Sequence, residues 1–418
     1  MNAYADSENS ALKSRYDDIY LIDGRRTPFA DYCGVLRDIS PTDLGIYAAR
    51  ALFEKTGIPA ADVDAIVAGN VAQSSFDAYL LPRHIGLYSG MRQAAPALLV
   101  HRLCGTGFEA ILTAADQIQL GKAQLVLCAG AESMSRNPVA SYSHRAGFRM
   151  GQVEFKDFLW EATIDTAPEV SMGGTAENLA NRYGISRDQA DEFAARSFAA
   201  AEQAWQNGWY DDEVVPVENA HWTLDGYADR GLKLADKAQR FDKDGHIRHS
   251  PFEVLNKLRP AFGGVQTGGN SSGIVDGAAA VLVASGDYVR AHGLKPLARI
   301  VGGSVVGVPP EIMGIGPAPA IRSLLADQKM SLGDIGRIEI NEAFAAQYLA
   351  CEQELGLDRD KVNRNGGSIA IGHPLGVSGV RLTHTVARQM QADGQQFAIS
   401  SACAGGGQGV AVLLENVS

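Results

Sequence analysis

The chain has 418 residues, 46% of them hydrophobic and 20% charged, with a formal net charge of -11. That length predicts roughly two to three packed units, and that apolar fraction excludes a disordered chain. The acidic balance argues against nucleic-acid or anionic-membrane partners, so an anionic ligand would need a local basic patch.

The opening stretch, MNAYADSENSALKSRYDD, has neither a signal-peptide core nor the Arg-rich character of a transit peptide. No apolar run approaches the roughly 18 residues of a membrane span, and the expectation is a cytoplasmic protein. Five cysteines (Cys33, Cys104, Cys128, Cys351 and Cys403) are too few and too scattered for a disulfide framework or a CxxC metal site. The nine histidines show no HExxH spacing, so no metal is expected.

DIYLIDGRR reads as a first strand. ARALFEKTGIPAADVDAIV, from Ala49, reads as helix, turn and strand, and it returns without gaps in IRSLLADQKMSLGDIGRIEI, from Ile321. Ile58 matches Met330, Asp62 matches Asp334 and Ile66 matches Ile338 at one constant offset. LARIVGGSV parallels DIYLIDGRR, and ADGQQFAISSACAGGG parallels LGKAQLVLCAGAES. The chain is therefore internally duplicated, with halves 1–285 and 286–418. Continuous apolar strands such as QLVLCAG and QFAISSA predict sheets covered on both faces, hence an α/β fold.

APALLVHRLCGTGFEAILTAADQI predicts a buried strand, a sharp turn at Cys104-Gly105 and a helix starting near Gly107. A thiol there feels the positive end of the helix dipole, which favours the thiolate. Iodoacetamide is accordingly expected to label Cys104 faster than the other four cysteines. Cys128 reads as core, while Cys33 and Cys351 have no supporting context. From about Glu132 to Phe262 the first half carries an insertion without counterpart in the second. Gly184 ends one of its helices, and Ser186 with Gln189 forms a capping box for the next. That helix lines up Ala190, Phe193, Ala194, Phe198, Ala201 and Trp205 as a packing face. The polar stretch YADRGLKLADKAQRFDKDGHIRHS is either a solvated loop or the basic patch.

The second half holds three further signals. In INEAFAAQ, Asn341 and Glu342 break a buried strand end and need partners; an Asn there can orient a water or a carbonyl. In NRNGGSIAIGHPLGVSGVRL, His373 stands in a glycine-rich turn leading into a helix, parallel to Cys104, so it can serve as base or oxyanion donor. In SSACAGGGQGVAVLL, Cys403 ends a buried strand before a glycine loop that no helix follows. A dinucleotide site fits poorly there, and a second thiol beside exposed N–H groups suits proton transfer.

RLCGTGFEA, NEAFAAQ, NGGSIAIGHPLGVSG and CAGGGQG, in this order over nearly the whole chain, resemble the motif blocks of the thiolase family, and GGNSSGIVDGAAAV, at Gly268 to Val281, also has the family's form. The resemblance implies two βαβαβαββ halves layered αβαβα, with a loop domain inserted in the first. It implies an acyltransferase that cleaves 3-ketoacyl-CoA with CoA in β-oxidation of fatty acids, or one that makes acetoacetyl-CoA as an acetyl-CoA C-acetyltransferase. The pattern RLCGTGF with NEAFAAQYL favours the degradative form. By that resemblance Cys104 carries the acyl group, His373 activates it, and Cys403 is general acid and base. One oxyanion lies against His373 and a water held by Asn341, the other against the N–H groups of Cys104 and Gly405.

Coenzyme A is expected as substrate, with no tightly bound cofactor. Arg248 is assigned to its nucleotide and Ser272 to its pantetheine arm. His101 and Ser171 depart from the family's usual Asn and His. A homodimer or homotetramer is implied, and docking onto a fatty-acid-oxidation complex is compatible with it. A ketoacyl-carrier-protein synthase would use a pair of histidines, whereas here Cys403 supplies the second group. A non-catalytic CoA-binding relative is disfavoured by the intact Cys104, Asn341, His373 and Cys403.

Overall fold

The computed structural model describes residues 4–73, 76–142 and 144–417. In the first half, β1 (Ile19–Arg26) leads through α1 (Pro41–Thr56) to β2 (Ala65–Gly69), then through α2 (Leu81–Tyr88) to β3 (Ala97–Val100). It continues through α3 (Thr106–Gln119) to β4 (Leu125–Ser133) and, after the insertion with α4 (Met172–Tyr183) and α5 (Arg187–Gln206), to β5 (Val275–Ser285). The second half repeats the plan with β6 (Ala298–Gly307), α6 (Pro317–Gln328), β7 (Arg337–Ile340), α7 (Ala345–Leu355), α8 (Ser378–Ala392), β8 (Phe397–Ala404) and β9 (Gln408–Glu415).

Strand order makes the duplication explicit. The hydrogen-bonded path runs β7-β8-β9-β6-β1-β5-β4-β2-β3. In each half the second strand pairs in parallel with the strand that follows the central helix, β2 with β4 and β7 with β8. The last strand then lies antiparallel between its predecessor and the opening strand. The second half's counterpart of β3 has shrunk to one parallel bridge, Ile338 to Val362. β1 and β6 join the two sheets through only two residue pairs.

Alternation of side chains across each strand explains why the strands read as unbroken apolar runs. On β4, Leu125, Leu127 and Ala129 pack outward with Leu44, Leu52 and Phe53 of α1 and Ile85 of α2. Val126 and Cys128 face inward with Phe108, Ile111 and Leu112 of α3 and Val380 and Val386 of α8. α6 covers the outer face of β6, β8 and β9. The result is helix, sheet, helix, sheet, helix, with α3 and α8 as the central layer.

These two helices touch backbone to backbone. A Cβ on Gly107 would come within 2.5 Å of the Val380 nitrogen, and one on Gly379 within 2.2 Å of the Phe108 nitrogen. Only glycine permits that approach, and the crossing lies at the N-terminal ends of both helices. The connection from β4 to β5 runs from Met134 to Ile274, whereas the matching turn between β8 and β9 is Gly405–Gly407. A buried cluster seats this long connection: Arg26 on β1 bonds Glu213 at 2.6 Å and Asp244 at 2.7 Å.

Candidate active site

The segment from β3 to α3 turns within a few residues. Leu103 adopts φ +45°, a left-handed conformation strained for a side chain of its shape. The Gly105 and Thr106 N–H groups close the turn onto the Arg102 and Leu103 carbonyls, each at 2.9 Å. α3 begins at Thr106, one residue ahead of the position expected from sequence, and Cys104 stands at its mouth. Arg102 donates to Glu109 at 2.7 Å and Gln408 at 2.8 Å, tying this turn to the one between β8 and β9. Leu103 also packs onto Gly405, where an added Cβ would lie 2.7 Å from its Cδ1.

The backbone N–H groups of Gly405 and of Cys104 itself lie close enough to the Cys104 thiol to act on its charge. They pull its pKa down, but burial outweighs them and the nearby Glu132 carboxylate opposes them, so the thiol is pushed up to about 11. The expectation of a thiolate favoured by the helix end is thus corrected: desolvation wins over the dipole. Cys403, at the end of β8, is fully buried among Met313 and Ala343, with Met172 and Phe344 against them. Burial raises it well above the usual thiol range, and its neighbours Cys104 and Cys351 raise it further.

His373 and Asn341 form the second cluster. The Asn341 amide nitrogen lies 3.3 Å from His373 Nε2, and the Asn341 backbone N–H donates to the Ser401 carbonyl at 2.9 Å, two residues before Cys403. His373 Nδ1 lies 2.6 Å from Ser378 Oγ, and the Ser378 hydroxyl donates to the Pro374 carbonyl at 3.2 Å. Burial first, and the Arg381 charge second, lower the imidazole to about 3. Both candidate proton-transfer partners are neutral at rest.

Sequence reasoning missed several residues that build this site. Glu132, at the end of β4, accepts from the N–H groups of Val71 (3.1 Å), Ala72 (3.1 Å) and Gly376 (2.9 Å) and from the Asn70 amide (3.0 Å). It thereby pins the histidine turn of the second half to a loop of the first, and burial raises it to about 7. Ser378 was within reach of sequence, since it follows His373 in GHPLGVSG; nothing in the sequence marked Glu132. Glu342, marked in the sequence as needing partners, finds them as a buried anchor, bonded to Ser197 at 2.7 Å and Asn363 at 2.8 Å.

The ligand-side residues are more dispersed. The Ser272 N–H donates to the Ala343 carbonyl at 3.0 Å, and the Gly273 carbonyl accepts from the His373 N–H at 2.9 Å, so Ser272 sits beside the catalytic cluster. Arg248 is exposed, with its guanidinium 5.6 Å from the Phe198 ring centroid. It connects inward through His246, whose ring lies against Gly273 and whose Nδ1 bonds Asp31 at 2.5 Å. His101 is exposed. Ser171 caps α4 by accepting from the Gly174 N–H at 3.1 Å. Among the described residues no group of three His, Cys, Asp or Glu could hold a metal ion, and no helix is long and apolar enough to cross a membrane.

Comparison with known proteins finds one family across both halves. Residues 19–287 match the family model "Thiolase, N-terminal domain", and residues 294–416 match "Thiolase, C-terminal domain". The mitochondrial 3-ketoacyl-CoA thiolase of Bos taurus is 43% identical over 96% of this chain and 98% of its own length. The acetyl-CoA acetyltransferase of Allochromatium vinosum is 37% identical over 96% and 100%. The crystal structure of human mitochondrial 3-ketoacyl-CoA thiolase in complex with CoA superposes with a TM-score of 0.90 at 42% identity, over 96% of this chain and 98% of that one.

Proposed function

The chain belongs to the thiolase family of acyltransferases, and from that premise we propose that it cleaves 3-ketoacyl-CoA with CoA, releasing acetyl-CoA and a shortened acyl-CoA. Cys104 gives up its proton to His373 and attacks the 3-keto carbon. As the C2–C3 bond breaks, Cys403 protonates the departing acetyl-CoA enolate. The acyl group stays on Cys104 until the thiol of free CoA takes it. Cys403, left as thiolate, takes the proton of the CoA thiol, and protonated His373 returns its proton to Cys104 as the acyl group leaves.

The observation carrying this reading is that the Cys104 turn packs against the glycine turn after Cys403, Leu103 lying on Gly405 and Arg102 bonding Gln408, which brings the Gly405 and Cys104 N–H groups to the thiol. Donors placed there also reach an oxygen developing on the carbon bonded to that sulfur, and one such donor is worth about 3 to 4 kcal/mol in a buried site. The other oxyanion position lies against His373 and a water held by Asn341. Coenzyme A is the substrate carrier, and Arg248 and Ser272 line its path to the thiols. A homodimer or homotetramer belongs to the same reading: β3 is a sheet edge whose Ala97 and Leu98 are exposed, a surface suited to pairing with a second copy. The cytoplasm is the compartment proposed from the composition.

Run in reverse, the same groups condense two acetyl-CoA molecules, the activity named for the Allochromatium vinosum relative. CoA-dependent thiolysis measured from acetoacetyl-CoA up to long 3-ketoacyl chains separates the two. Activity extending to long chains and absent in Cys104→Ala supports the degradative reading. Activity confined to acetoacetyl-CoA assigns the acetyltransferase reading instead.

A further inference from the structure

Arg381, on α8, is buried to 1% exposure, and a guanidinium donates hydrogen bonds but never accepts them. Its Nη2 lies 3.1 Å from Ser368 Oγ, so that oxygen accepts. The Ser368 hydroxyl hydrogen then goes to Asn341 Oδ1, 2.7 Å away. With its oxygen so engaged, the Asn341 amide turns its NH2 end to His373 Nε2 at 3.3 Å, which must present a lone pair. From the other side, the Pro374 carbonyl can only accept, so the Ser378 hydroxyl donates to it at 3.2 Å. Ser378 Oγ is thereby left to receive the Nδ1–H at 2.6 Å. Both ends of the chain are one-way groups, and every link between them is polarised accordingly.

We propose that Arg381 and Ser368 are positioning residues: they orient the Asn341 amide and thereby hold His373 as the Nδ1–H tautomer, with Nε2 kept as the base. The inference rests on the reading of His373 as the group that deprotonates Cys104. A rotated amide would place its oxygen at Nε2, select the opposite tautomer and leave no lone pair there. Arg381 is otherwise poorly compensated. Its ion pair to Glu339 is long, at 3.5 Å, and its Nε has no partner among the described residues. A buried cation with so little pairing is costly, which argues for a role beyond stability. Its charge also adds to burial in keeping the imidazole neutral.

The test is nitrogen NMR of the whole enzyme labelled at histidine, at neutral pH, with the His373 signals identified by their loss in His373→Asn. The wild type is expected to show a protonated, pyrrole-type Nδ1 and a pyridine-type Nε2. In Ser368→Ala the Nε2 signal moves toward the protonated type, and kcat for thiolysis falls tenfold or more with KM within twofold. In Asn341→Asp, where a carboxylate oxygen replaces the NH2 end, Nε2 becomes protonated even if Ser368→Ala fails to fold. A pyridine-type Nε2 retained in Asn341→Asp, or in a folded Ser368→Ala, overturns the proposal whatever happens to activity. Full activity in His373→Asn would instead refute the general-base reading, and the tautomer signals would still decide the role of Ser368.

Discussion

Cys104 at about 11 and His373 at about 3 make the resting pair thiol and imidazole. Moving the proton between them unaided costs on the order of 10 kcal/mol at 1.36 kcal/mol per pKa unit. The thiolate is therefore not a resting species. It forms as the carbonyl carbon arrives and the Gly405 and Cys104 N–H groups take up the negative charge. Alkylation of Cys104 by iodoacetamide in the free enzyme should rise about tenfold per pH unit from pH 7 to 10, followed by peptide mass spectrometry; a plateau near pH 7 would contradict it. The sequence-based ranking also changes, because Cys33 is exposed, Cys104 is buried but keeps 8% exposure, and Cys128, Cys351 and Cys403 are wholly buried. Cys104 should outpace those three and lag Cys33.

His373 also couples folding to pH. Its folded pKa lies below its ordinary 6.5, so between those values the unfolded chain binds the extra proton. The contribution is fully present above pH 6.5 and is lost as pH falls toward 3, at up to about 1.4 kcal/mol per unit. Denaturant titrations of wild type and His373→Asn over that window should differ in slope by one proton, with the variant the flatter. Equal slopes would place the imidazole in water.

At the scale of elements, the site depends on the crossing of α3 and α8. Gly379→Ala would drive a methyl into the Phe108 backbone, where neither neighbour has a flexible end to yield. The expected loss is about 2 to 3 kcal/mol of stability, read from urea midpoints, together with a fall in kcat. A stable, fully active variant would show that the helices have room to part. The sequence carried much of this level. The capping box at Ser186 and the αL stop at Gly184 are both present, because caps and left-handed turns are local chemistry. The faces of β4 followed from its unbroken apolar run. Illegible were side-chain contacts between separate segments: Glu132 reaching Gly376 across the duplication, Arg381 reaching Ser368 within the second half, and Asp31 reaching His246 within the first. Each pairs residues whose neighbours in the chain say nothing of the partner.

For the whole molecule, the insertion shares the apolar core of both halves, Phe193 and Phe198 packing in one cluster with Phe108 and Tyr348, and a buried charged cluster adds a second hold. Arg26 is fully buried between Glu213 and Asp244, and Asp244 stands two residues from His246 and four from Arg248. Removing one partner of such a cluster leaves unpaired buried charge and costs about 3 to 5 kcal/mol. Arg26→Met should loosen the insertion, seen as faster limited proteolysis between β4 and β5, and should raise KM for CoA more than it lowers kcat. Unaltered proteolysis and KM would mean that packing alone seats it. The duplication itself was legible in sequence because helix, turn and strand recur at one offset. The shrunken third strand of the second half was not, since its loss leaves Ile338 and Val362 paired by a single bridge.

The most direct test of the account is to mix the enzyme with a 3-ketoacyl-CoA in the absence of free CoA, quench in acid, and map the covalent adduct by peptide mass spectrometry. An acyl group on the Cys104 peptide, discharged when CoA is added and absent in Cys104→Ser, is the predicted result. Adduct on Cys403 or on no cysteine, with thiolysis still proceeding, would contradict it.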